Sequence, residues 1–135
     1  HTVNPDPIKN QDPIDTIDIE LTTVDSLLER RDLDPGDVHV VRFDIEHYEP
    51  YVFEGMRRLL AADSPLVLYV EFHFAAFDDE TVRSMLRTLD ESGLRVVSAV
   101  EKALIDWDGR PVDAETFADL WAYRDRNGIE VVARR

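Results

Sequence analysis

The sequence contains no cysteine, which excludes disulfides, thiol nucleophiles and cysteine-bearing zinc sites together. Nowhere does it hold the roughly 18–20 consecutive apolar residues of a membrane span, and no basic-then-apolar leader opens it. Lysine is almost missing: Lys9 and Lys102 stand against 13 Arg, 18 Asp and 11 Glu. The resulting net charge of −14 repels nucleic-acid backbones and anionic membranes, so neither is an expected partner. This Asp-rich, Lys-poor balance fits salt adaptation and codon bias equally and says nothing about a reaction. The want of cysteine fits a cytoplasmic location. Glycine is also sparse, and Gly36, Gly55, Gly93, Gly109 and Gly128 never gather into a phosphate- or nucleotide-cradling turn.

What is present suffices for one domain. The 135 residues, 44% of them apolar, support one core and not two. The chain begins at His1, not at a methionine, and is expected to be an excerpt of a longer protein. Residues His1–Asp15, with Pro5, Pro7 and Pro13, read as an extended arm or linker, and 16–135 as the α/β portion.

From Thr16 onward the apolar pattern becomes regular. Ile17, Ile19 and Leu21 alternate with acids, predicting a short half-buried strand. Thr22 or Thr23 caps a helix whose apolar face is Val24, Leu27 and Leu28, and Asp34-Pro35-Gly36 is a turn. His39–Phe43 predicts a strand ending on Asp44. Pro50 opens a helix with Val52, Met56, Leu59 and Leu60 inward, broken at Ser64-Pro65. Leu66–Val70 is an all-apolar strand ending on Glu71, of the kind covered on both faces. Asp78 or Asp79 caps a helix with the stripe Val82, Met85, Leu86 and Leu89, closed by Gly93. Leu94–Val100 is a strand, with Ala103–Trp107 as a hairpin partner. Asp113 caps a last helix carrying Phe117, Leu120 and Trp121, and Ile129–Val132 is the final strand.

Alternating strands and helices predict an α/β fold with a mostly parallel sheet. The strands His39–Phe43 and Pro65–Val70, separated by one helix, should be adjacent and parallel. Ligands in such sheets sit beyond the carboxyl ends of the strands, which singles out Asp44, Glu46, Glu71 and His73. Carboxylates and imidazoles gathered there could bind a cationic cofactor, deprotonate a hydroxyl or hold a hard divalent cation. The histidines have no metal-motif spacing, so no metal is expected. Glu49 reads as a helix-start acid, and His39, early in its strand, as structural.

The stretch Ile19–His73 resembles the FkbM methyltransferase family. Thr23-Val24-Asp25-Ser26-Leu27 is similar to the family's Thr-Leu-Asp-Ser-Leu. Arg42-Phe43-Asp44-Ile45-Glu46-His47-Tyr48-Glu49 is similar to its Lys-Ile-Asp-Val-Glu-Gly-x-Glu, followed by Gly55-Met56 where the family has Gly-Ala. Leu68-Tyr69-Val70-Glu71 matches its next strand. Arg42 replaces Lys, and His47 stands where the family has Gly, a position suggesting a tight backbone or close ligand approach.

The resemblance implies the C-terminal half of a Rossmann-like class I methyltransferase sheet with an antiparallel last strand. It implies S-adenosylmethionine as cofactor, its site incomplete in this chain, and O-methylation of a hydroxyl on a sugar or secondary metabolite. Asp44, Glu46 and His47 are then the expected catalytic residues, Asp44 and Glu71 the cofactor contacts, and Tyr48 and His73 the substrate contacts. A missing N-terminal half or a second copy is the expected macromolecular partner. The alternative is an interaction module that keeps the half-fold without the cofactor.

Overall fold

A computed structural model of the chain describes residues 17–101 and 112–135. The arm His1–Asp15 and the proposed hairpin strand Ala103–Trp107 lie outside them. Ile17, Ile19 and Leu21 are exposed and form no strand, because their alternation finds no partner ladder among the described residues and alternation alone does not stabilise a lone strand.

Helix α1 spans Val24–Arg30, and Thr23 caps it by accepting from the Ser26 amide at 3.0 Å. Two residues on, Asp25 reaches away from its own helix. Its carboxylate accepts from the amides of Arg58 and Leu59 at 2.9 and 3.2 Å, satisfying the start of a helix 33 residues later. The Thr-x-Asp segment thus caps two helices. Asp34-Pro35-Gly36 enters one turn of 3-10 helix capped by Asp34.

Strand β1 (Val40–Phe43) leads to α2 (Glu49–Gly55) and α3 (Arg57–Ala61). The single helix expected from Pro50 is broken at Met56, whose φ of −126° leaves the helical region. Gly55 allows the break to close against α1, since a Cβ there would stand 3.0 Å from the Thr23 Cβ. Met56, Leu59 and Leu60 are still buried, as the pattern required, while Val52 is partly so.

Strand β2 (Val67–Phe72) is followed by a 3-10 turn, then by α4 (Asp79–Glu91), which Asp78 caps through the Thr81 amide. All four predicted inward residues of α4 are buried. Strands β3 (Arg95–Glu101) and β4 (Ile129–Arg134) complete the sheet. Between them the predicted last α-helix is a 3-10 segment, Asp119–Tyr123. Asp113 does not cap it; Asp119 folds back to accept from the Glu115 and Thr116 amides, a local alternative that competes with a regular helix. Phe117 and Leu120 are buried regardless, and Trp121 lies under Arg83 at 3.6 Å.

The sheet order is β1-β2-β4-β3. β1 and β2 are parallel and adjacent, with Val40 opposite Val67 and Phe43 opposite Val70. β3 runs the same way, and β4 is inserted antiparallel between β2 and β3. The expected antiparallel last strand is there, but its insertion makes the sheet mixed: two of the three ladders are antiparallel. Arg135, just past β4, ties the amino-terminal edge together by donating to the carbonyls of Leu59, Leu60, Ser64 and Ser92.

Candidate functional site

Extending the β1–β2 register by one residue sets Asp44 against Glu71, both at the carboxyl ends of parallel strands. Past Asp44 the chain turns sharply. Glu46 and His47 adopt φ values of +43° and +74°, consecutive left-handed residues that are not glycine. Such a backbone costs about 1–2 kcal/mol per residue. It gives the physical reason that a glycine suits position 47, where this chain carries an imidazole at that cost.

This turn and the end of β2 bring one ligand atom each from Asp44, Glu46 and His73 within 4.8 Å of one another. His73 is buried, at 6% exposure, and Glu49 is completely so. The His73 Nδ1–H donates to Glu49 Oε1 at 2.5 Å. Its Nε2 faces Glu46 Oε2 at 3.4 Å and Glu71 Oε1 at 3.8 Å. The hydrogen bond to Glu49 raises the His73 pKa above its ordinary value. Burial opposes the rise, and the negative charges of Glu49, Glu46 and Glu71 add to it.

Glu49 needs correction. It is the first residue of α2, but that helix has Tyr48 at its cap position with no side-chain cap bond. Glu49 turns inward instead, spends one oxygen on His73 and leaves Oε2 buried without a hydrogen bond. Sequence reasoning missed it because an acid beside Pro50 has a ready explanation in the helix dipole, and its partner lies 24 residues away. A signal was available: Glu49 closes the segment Arg42–Glu49 that is similar to the family pattern, and a simple helix-start acid would not need to be glutamate.

The other expected residues are placed as follows. The His47 ring meets His73 edge-on at 5.3 Å and Phe77 at 6.4 Å. Tyr48 packs on Tyr51, ring centroids 5.1 Å apart. His39 lies at the opposite end of β1, its Nδ1 donating to the Pro65 carbonyl at 3.0 Å. A wide groove lined by Arg57, Ser84, Arg87, Gly93 and Arg135 also lies at that far edge, away from the acidic cluster.

Adjacent parallel strands delivering acids and a buried imidazole to one edge define an α/β protein with a strand-end site. The family model described as Methyltransferase FkbM domain matches residues 2–96, beyond Ile19–His73 on both sides. The chain belongs to this family of methyltransferases. No curated protein and no solved structure matches it. Among the described residues, no helix is long and apolar enough to cross a membrane.

Proposed function

We propose that the chain supplies the acceptor side of an S-adenosylmethionine-dependent O-methyltransferase, acting on a hydroxyl of a sugar or secondary metabolite. The observation that carries this reading is the gathering of Asp44, Glu46, Glu71 and His73 at the carboxyl edge of β1 and β2, in a chain of this family. The strand order, with an antiparallel last strand inserted beside β2, supports a class I methyltransferase half-sheet.

The cofactor would supply an electrophilic methyl group on a cationic sulfonium. Asp44 and Glu71 suit that positive charge. The residues do not suit the adenosine: the five glycines are scattered, and Gly55 is pressed against Thr23. The adenosine is therefore assigned to a segment beyond these residues, in an N-terminal half or a second copy. Within the cluster, Asp44 and Glu46 orient the acceptor hydroxyl and take its proton, while Tyr48 and His47 flank the entry. The scattered glycines also favour a second reading, an interaction module without catalysis. A strand and glycine-rich turn in the coding sequence upstream of His1 would speak for the enzyme.

The test is methyl transfer from labelled cofactor to a panel of hydroxyl acceptors, with this chain joined to the segment that holds the adenosine. Asp44→Asn and Glu46→Gln should each lose on the order of 10²–10⁴ in rate, the contribution of a positioned acid-base group. Their melting temperatures should barely change, since both residues are exposed. Near-normal rates combined with melting several degrees lower would mean that the two acids are structural.

A further inference from the structure

We propose that Asp44, Glu46 and His73 form a binding site for one divalent cation of the Mn²⁺ type. The first observation is geometric. Oxygen and nitrogen ligands at about 2.0–2.4 Å from a shared ion stand roughly 3–4.5 Å apart. The three ligand atoms already lie within 4.8 Å of one another. Glu46, whose side chain is 77% exposed, is free to close the remaining distance.

The second observation is the nitrogen itself. His73 is more than nine-tenths buried, and its Nε2 faces two carboxylates, Glu46 at 3.4 Å and Glu71 at 3.8 Å. A ring nitrogen held against two carboxylates marks a place for an electrophile, a metal ion or a proton. Glu49 supplies the rest. By accepting the Nδ1–H it fixes the ring orientation and leaves Nε2 as the outward donor, the arrangement by which buried carboxylates support metal-bound histidines. Among the described residues, no Lys or Arg ion-pairs with Asp44, Glu46 or Glu49 to neutralise their charge.

One imidazole and two carboxylates, without thiolate, suit a hard to borderline divalent ion and leave coordination positions for water or an acceptor hydroxyl. The sequence hides the site because its ligands come from two strands 27 residues apart and not from one short motif. The cation goes beyond the methyl-transfer reading and does not depend on it, since binding needs neither cofactor nor acceptor. The rival occupant of Nε2 is a proton, which would make His73 only the centre of an ion-pair network.

The experiment is titration of the 135-residue chain with Mn²⁺ alone, following free ion by electron paramagnetic resonance and the imidazole signals by NMR. One ion per chain is expected, with His73 broadened at low Mn²⁺ and His39, at the other end of β1, spared. Asp44→Asn should weaken binding about tenfold or more. Glu49→Gln should weaken it about 10–100-fold although Glu49 is fully buried. Glu91→Gln, on the last turn of α4, should leave it unchanged. Asp44 is exposed, so its variant tests the site even if the buried Glu49 variant folds poorly. The proposal is overturned if Asp44→Asn binds like the parent, if His39 and His73 broaden together as for diffuse counterions on an acidic surface, or if no Mn²⁺ binds.

Discussion

His47 illustrates how one residue can be chemically tempting and conformationally expensive. At φ +74° it carries the left-handed penalty of about 1–2 kcal/mol, and its ring meets His73 and Phe77 edge-on. Replacing it by glycine removes that strain, while the freer unfolded chain costs about 0.4–1 kcal/mol. His47→Gly should therefore melt at or slightly above the parent temperature. His47→Val, β-branched at the same φ, should melt several degrees lower. Differential scanning calorimetry of the pair checks the turn, and a glycine variant that melts well below the parent would contradict its left-handed shape. Glu49 is the reverse case. Its local surroundings in sequence suggested a helix-start acid, and only the packing of α2 against the end of β2 turned it into the partner of a buried histidine.

At the scale of elements, caps carry much of the specification. Thr23 and Asp78 cap the helices that follow them and were legible from position alone. Asp25 and Arg135 act on helices far along the chain, and no local pattern announces them. The Asp78 cap also gives a pH dependence of known sign. Its hydrogen bonds to Thr81 hold its pKa below the ordinary carboxylate range. With the folded value below the unfolded one, the cap's contribution is complete above the unfolded pKa and is lost as pH falls through the folded value. Asp78→Asn keeps a capping oxygen but cannot titrate. Urea midpoints at neutral pH and below about pH 4 should show the parent losing more stability than Asp78→Asn over that interval. An equal loss in both would mean that the charge on the cap plays no part.

For the whole molecule, strand β1 pairs only with β2 among the described residues, and Val40 within it is 67% exposed. An open, partly apolar edge is a surface on which further strands can add, consistent with a site shared with another segment or copy. The 135-residue chain alone should then bind S-adenosylmethionine weakly or not at all, since no later segment replaces a glycine-rich turn. Calorimetric titration is the measurement, and a micromolar dissociation constant would place the cofactor site within these residues.

The sequence by itself determined the elements that depend on short-range physics. Apolar runs marked β1, β2 and β4, a 3.6-residue stripe marked α4, and the strand-end rule pointed to Asp44, Glu46, Glu71 and His73. It failed where periodicity had no partner to act on, as at Ile17–Leu21, or where a side chain offered the backbone a competing bond, as Asp119 does. Tertiary structure alone decided that β4 enters between β2 and β3, that Glu49 faces inward and that His73 presents only Nε2 to the acidic cluster. The reason is physical: periodicity and capping act over a few residues, whereas burial and the demand that a buried polar atom find its partner are settled only when segments far apart in the chain are pressed together.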